Sequence, residues 1–295
     1  MTSSRPALVV TGARGLVGQA LARHHDIVPL PRGDSPFSRD GSTGEVHDDG
    51  RSIAAVVHLA GAPIADGRWT DARRQVIRDS RVVGTRGLAD WLKQRAQRPS
   101  VFVSASAVGF YGDRRDDHLT ETSPGGRGFL AEVCRDWEDA ARVAAEAGIR
   151  VVHIRLGVVL STRGGSLAKM LPAFRLGGGG PLGSGQQWFP WIHEDDVARA
   201  ILHVIRTPSI SGPVNLVAPE AIRQRDFARA LGGVLGRPAV MPAPALALRA
   251  AFGRGLADEL LLASQRVSPE VLQHAGFSFS HPRLGEALAH LLDGS

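Results

Sequence analysis

Several residue types that carry common chemistry are scarce in this chain. Of its 295 residues one is cysteine, one is tyrosine and three are methionine, and Lys93 and Lys169 are the only lysines. A lone Cys134 cannot close an internal disulfide, which sets aside a disulfide-framed secreted domain. No apolar run approaches the ~20 residues that a membrane-spanning helix requires. The opening stretch, with Arg5 as its one charge, leads into only the short apolar run Ala7-Leu8-Val9-Val10, too little for the core of a secretory signal. A cytoplasmic protein is therefore expected. Hydrophobic residues make up 43% and charged residues 22%, the proportions of a globular chain long enough to bury a core in one or two domains.

The scarcity of lysine also explains the charge. With 33 of the 35 basic residues arginine, a net charge of +6 holds the isoelectric point near 10.7, because arginine stays protonated far above neutral pH. The arginines are interleaved with acids, as in Arg73-Arg74 ahead of Arg78-Asp79, and form no basic tail or aromatic-studded stripe. No nucleic-acid partner is expected.

What is present is an alternation of strands and helices. The apolar run Ala7 to Val10 leads into Thr11-Gly12-Ala13-Arg14-Gly15-Leu16-Val17-Gly18 and an Ala/Leu-rich helix, the order strand, glycine turn, helix. Further strands are predicted over Ile27 to Leu30, Ile53 to Ala60, Val101 to Val103, Arg150 to Leu160 and Val214 to Val217. Helices are predicted from a cap at Thr70 or Asp71 to about Arg98, from Phe129 to Glu146, and from Glu194 to Arg206. The pattern implies an α/β fold with a Rossmann-type, doubly wound parallel sheet and a smaller, mainly helical C-terminal lobe. The expected division is residues 1–165, rejoined by 192–218, against 166–191 and 219–295.

A pyrophosphate needs backbone N–H donors at a helix start and no Cβ in the way, which Gly12, Gly15 and Gly18 provide after a buried strand. Arg14, Leu16 and Val17 complete the turn. Past the second strand, Leu30-Pro31-Arg32 offers Pro31 and a cation at Arg32, with no carboxylate before Asp34. A basic residue there suits a 2′-phosphate, so NADP is expected rather than NAD.

These segments resemble the extended short-chain dehydrogenase/reductase superfamily, and more narrowly its atypical "epimerase family protein" branch of cell-division-inhibitor-like nucleoside-diphosphate-sugar epimerases. The matching pieces are the glycine turn, Val57-His58-Leu59-Ala60-Gly61, Ser80 to Thr85, Ser104 to Gly112 and Arg155 to Leu160. Gly179 to Gly185, Phe189 to His193 and Ala275-Gly276-Phe277 extend the likeness over nearly the whole chain. The resemblance implies cofactor contacts at Leu59, Ala60 and Gly61, at Arg81 where such proteins commonly carry Asn, at Ser104, and at Val159 in the following strand. It implies a small-molecule substrate, which a sugar nucleotide would suit.

It also implies a Tyr-x-x-x-Lys pair, and this chain has none: its one tyrosine is Tyr111, and neither lysine lies four residues beyond it. Of the usual triad, Ser106 remains. The alternative proton donors are Tyr111, with Arg115 four residues on, Cys134, which occupies the place of the usual lysine, and Glu132. The run His193-Glu194-Asp195-Asp196 reads as a helix start rather than a metal site, since adjacent residues point apart. The long loop Gly177 to Trp191 could stack a ligand on Trp188 or Trp191 or close a lobe interface. Two functions stay open at this point: an NADP-dependent oxidoreductase or epimerase with a nonstandard proton donor, and a noncatalytic NADPH-binding sensor.

Overall fold

The computed structural model describes residues 6–33, 37–40 and 45–293; Met1 to Arg5 and Asp34 lie outside them. Eight strands and seven helices matter for the site. In chain order they are β1 (Ala7–Thr11), α1 (Leu16–His24), β2 (Val28–Pro29), β3 (Ile53–His58), α2 (Asp71–Gln94), β4 (Val101–Ala107), α3 (Phe129–Ala140), β5 (Arg150–Leu156), β6 (Val158–Leu160), α4 (Gly165–Arg175), β7 (Trp191–His193), α5 (Glu194–Arg206), β8 (Gly212–Leu216), α6 (Gln224–Val234) and α7 (Leu284–Asp293).

Six strands form one parallel sheet in the order β2-β1-β3-β4-β5-β8. Both faces are covered, which is why the strands are apolar on both sides. Leu8, Val10, Ala55, Val57, Val101 and Val103 pack on the α1 and α5 side, while Val9, Val56 and Phe102 pack against Leu88 and Leu92 of α2. The period-two alternation of strand side chains separates these two sets. A third core joins Leu167, Leu171 and Phe174 of α4 to Phe227 and Leu231 of α6 and Leu288 of α7. Among the described residues no helix is long and apolar enough to cross a membrane.

The chain runs from β1 to β2 on one side and then crosses to β3 on the other. That reversal makes the C-terminal ends of β1 and β3 the switch point of the sheet, the place where ligands of such sheets sit.

The structure departs from the sequence expectation at two joints. The strand expected over Arg150 to Leu160 breaks at Gly157, where a Cβ would lie 2.7 Å from the Pro190 carbonyl oxygen. Beyond it β6 leaves the main sheet and pairs with β7. The helix expected from Phe129 to Glu146 is interrupted at Ala141 and resumes over Arg142–Glu146. The helix α4, with Pro172 inside it, was not legible in the sequence.

Candidate dinucleotide and substrate site

At the end of β1 the backbone turns sharply at Gly12, with φ of 70°. A Cβ there would lie 2.8 Å from the Leu59 carbonyl carbon and 2.9 Å from the Ala60 nitrogen, so the β1 and β3 ends meet only through glycine. Gly18 is equally constrained, because its Cβ would lie 2.5 Å from the Gly12 oxygen and 2.6 Å from Ala13 Cα. Gly15 begins α1 without a side-chain cap, and no acid lies in the first turn. The result is a helix start with no side-chain cap and no first-turn acid, behind a turn whose glycines carry no Cβ, which fits a diphosphate. Thr11 Oγ1 accepts from the Leu59 and Ala60 amides at 3.2 and 3.3 Å and pairs with His58 Nδ1 at 2.6 Å, locking the two strand ends together.

Arginines flank this cradle. Arg32, exposed beside exposed Pro31, bridges Arg39 in parallel register. Arg39 is only 4% exposed and donates to the Gly84 carbonyl at 3.4 Å; a Cβ at Gly84 would lie 2.8 Å from its Nη1. Burial, and then Arg32, lower the Arg39 pKa. The Asp40 carboxylate acts on Arg39 in the opposite sense, raising its pKa.

Arg81 lies on the opposite flank, 7% exposed, donating to the carbonyls of Ala62 at 3.1 Å and Ile77 at 3.0 Å. It sits 5.0 Å from the Trp137 ring and beside Gly61, where a Cβ would be 3.3 Å from its Cζ. Burial lowers its pKa to about 10. No carboxylate forms an ion pair with Arg81 among the described residues. His58, fully buried between these cations, is held neutral with its pKa lowered to about 3, by burial first and then by Arg39 and Arg81.

Ser104 was expected at a strand end but lies in the middle of β4, which continues to Ala107; it is wholly buried in register between His58 of β3 and His153 of β5. Ser106 donates to Glu138 Oε1 at 2.7 Å. Glu138 in turn accepts two bonds from Arg155, each 2.9 Å, from Nε and Nη2. Cys134 lies one helical turn before Glu138 on α3, with both Ser106 and Arg81 acting on its thiol; burial pushes its pKa up to about 11. Val159 of β6, with Val17 and Leu59, packs partly buried against the main core.

Tyr111 is placed differently from the sequence expectation. Its ring is 0% exposed, and its hydroxyl donates to Asn215 Oδ1 at 2.7 Å, accepts from Arg155 at 3.0 Å and lies 3.0 Å from the Thr120 carbonyl. The cation beside it is Arg155 rather than Arg115, and burial outweighs that cation and raises the tyrosine pKa. Glu132 is exposed in the first turn of α3. Trp191 is 1% exposed within the third core and presents no free face, while Trp188 has Arg223 and Arg266 at 4.3 and 4.9 Å from its ring.

Sequence reasoning missed Arg39, Glu138 and Arg155. Glu138 could have been found from its spacing of four from Cys134, which puts both on one face of α3. Arg39 carries no such signal, because its place depends on a loop folding back over α2.

A doubly wound sheet with a glycine turn and an open helix start at its switch point defines a dinucleotide-binding α/β protein. The chain belongs to the NAD dependent epimerase/dehydratase family, which matches residues 8–216; a domain of unknown function, DUF1731, matches 243–291. It is 40% identical over 293 residues to the epimerase family protein Mb2239 of Mycobacterium bovis, spanning 96% of each chain. It resembles the crystal structure of human epimerase family protein SDR39U1 (isoform 2) with NADPH, at a TM-score of 0.90 and 34% identity over 98% of this chain and 100% of that one. A nucleoside-diphosphate sugar epimerase from Corynebacterium glutamicum matches with a TM-score of 0.76 and 38% identity, covering 98% of this chain and 58% of that chain.

Proposed function

We propose that the chain binds NADP(H) at the β1–α1 turn and acts as an oxidoreductase or sugar-nucleotide-epimerase-like enzyme whose proton donor is not a tyrosine. The observation that carries the cofactor choice is the exposed Arg32 just past β2, where a ribose 2′-phosphate would meet its guanidinium, with the buried Arg39 bridged to it through the backbone. The NADPH in the human relative's crystal structure supports it. Gly12, Arg14, Gly15, Leu16, Val17 and Gly18 would hold the diphosphate, Pro31 and Arg32 the ribose phosphate, and Leu59, Ala60, Gly61, Arg81, Ser104 and Val159 the rest of the dinucleotide. The larger lobe is taken as residues 1–165 with 192–218, and the protein as cytoplasmic.

When bound, the nicotinamide gives or takes a hydride. The chain's own part is to hold the reacting carbonyl or alcohol oxygen and to move one proton. Ser106, fixed by Glu138, is the group that aligns that oxygen. Cys134, protonated at neutral pH, is the donor this reading assigns, with Arg81 supplying the nearby positive charge that a lysine usually gives. Tyr111 is read as structural. The substrate class, a sugar nucleotide, is supported by the name of the Corynebacterium glutamicum relative.

A noncatalytic NADPH sensor is the second reading, favoured by the sealed Tyr111 and by a thiol whose pKa is pushed up rather than down. Fluorescence titration tests the cofactor: Arg32→Glu is expected to weaken NADPH on the order of tenfold or more, the value of a charged hydrogen bond, with little change for NADH. Equal losses for both would remove the NADP assignment. Oxidation of NADPH against a carbonyl panel, lost in Cys134→Ala and Ser106→Ala with NADPH binding intact, supports the enzyme. Tight binding without turnover of any substrate supports the sensor.

A further inference from the structure

Three histidines from two distant segments, His193 and the pair His281 and His290, converge near the C-terminal end of α1, where His24 meets Asp195. His193 closes β7 and caps α5, accepting from the Asp195 amide through Nδ1 at 3.1 Å. His281 precedes α7, and His290 lies on it. Their ring centroids are 3.8 Å apart for His193 and His281, 4.4 Å for His281 and His290, and 5.1 Å for His193 and His290. His193 is fully buried, His281 and Asp195 are half-buried and His290 is exposed, so the cluster opens to solvent on one side. One nitrogen from each ring and one Asp195 oxygen all lie within 4.8 Å of one another.

We propose that His193, His281 and His290, oriented by Asp195, form a binding site for a zinc-class divalent transition metal that ties α5 to α7. Zinc–nitrogen bonds near 2.05 Å put two tetrahedral ligands about 3.4 Å apart. The separation of His193 Nε2 and His290 Nδ1, 3.2 Å, already fits. The remaining distances close with side-chain shifts on the order of 1 Å from the half-buried His281 and the exposed His290, toward the bond lengths such sites require. A nitrogen-rich set selects zinc, nickel or copper over calcium and magnesium.

The protons can be followed. With Nδ1 of His193 accepting the Asp195 amide, the neutral ring carries its proton on Nε2, facing His290 Nδ1. A metal on Nε2 displaces that proton to solvent; Nδ1 takes one up from solvent, gives up its bond from the Asp195 amide and turns toward Asp195 Oδ2, 3.8 Å away. The carboxylate then orients a metal-bound imidazole, a common outer-shell arrangement. Burial first, and then the neighbouring rings, lower the pKa of His193 and of His281. The cations nearby are engaged: Arg23 pairs with Glu194 at 2.7 Å and Arg199 with Asp196 at 2.8 Å, while Asp195 Oδ1 faces His24 Nε2 at 3.1 Å and Arg23 at 3.6 Å, leaving Oδ2 toward His193.

The test is calorimetric titration of tag-free, chelator-treated full-length protein with zinc chloride, and cobalt(II) chloride titration followed by visible absorption. One metal per chain and the intense bands of tetrahedral cobalt are expected. His281→Ala and His290→Ala, at positions that are not core, are each expected to weaken zinc on the order of tenfold or more, while exposed His274→Ala leaves it unchanged. Circular dichroism of each variant checks the fold, and NADPH binding reports the dinucleotide site separately. No saturable zinc binding, or wild-type binding in folded His281→Ala and His290→Ala, overturns the proposal.

Discussion

Replacing Glu138 with alanine strands a buried guanidinium. Arg155 is 4% exposed; besides its two 2.9 Å bonds to Glu138, it donates to Tyr111 at 3.0 Å and to the Glu121 carbonyl at 3.3 Å. Its Cζ lies 3.5 Å from the centroid of the Phe110 ring. Removing one partner of a buried pair costs about 3–5 kcal/mol, because the other charge stays desolvated. The Glu138 side chain is 13% exposed, which lets some water in. The expectation therefore falls at the lower end, about 3 kcal/mol. At about 2–4 °C per kcal/mol for a domain of this size, Tm drops by about 6–12 °C. Glu138→Gln, which keeps an acceptor and the volume, is expected to lose less. The double variant Glu138→Leu with Arg155→Met is expected to recover much of the loss, since neither charge is left behind. Scanning calorimetry and urea melts of the four proteins read these shifts. A Glu138→Ala protein melting within about 1 °C of wild type, or a double variant less stable than the single one, refutes the assignment of this pair as the clamp at the end of β4 and β5.

Acid is expected to weaken the fold through His58. Its folded pKa, about 3, lies below the unfolded value, so its stabilising contribution is complete above pH ~6.5 and declines as pH falls toward 3. At pH 5 the loss is about 2 kcal/mol from this ring, and its NMR signals are expected to stay fixed from pH 7 to 5; a midpoint near 6 would contradict the burial argument. Gly18→Ala is expected to cost about 1–3 kcal/mol by overpacking and to abolish dinucleotide binding, because its Cβ would run into backbone of the turn. Gly233→Ala, with nothing within 4 Å of its Cβ, is expected to stabilise α6 by up to about 1 kcal/mol. Reversal of that order in thermal melts would sink the steric account of the turn.

Much of the fold was legible because its signals are local. Four apolar residues, a glycine turn and an Ala/Leu helix specify the first β-turn-α unit whatever surrounds them, and Thr70 does cap α2, accepting from the Arg73 amide at 3.2 Å. The repeated alternation of strand and helix then implies parallel pairing, since parallel strands need crossovers of that length. The break at Gly157 was not legible, because it arises from contact with Pro190, more than thirty residues away.

The sequence by itself determined the doubly wound sheet, the place of the glycine turn and the lack of a Tyr-x-x-x-Lys pair, all properties of residue type and short spacing. Only the tertiary structure decided which polar groups meet. It drew Tyr111 inward onto Asn215, set Glu138 against Ser106 and Arg155, laid Arg39 over Gly84 and brought His281 and His290 to His193. Such pairings form between segments tens of residues apart, where burial removes water as a partner and each charge or hydroxyl must find another in the fold.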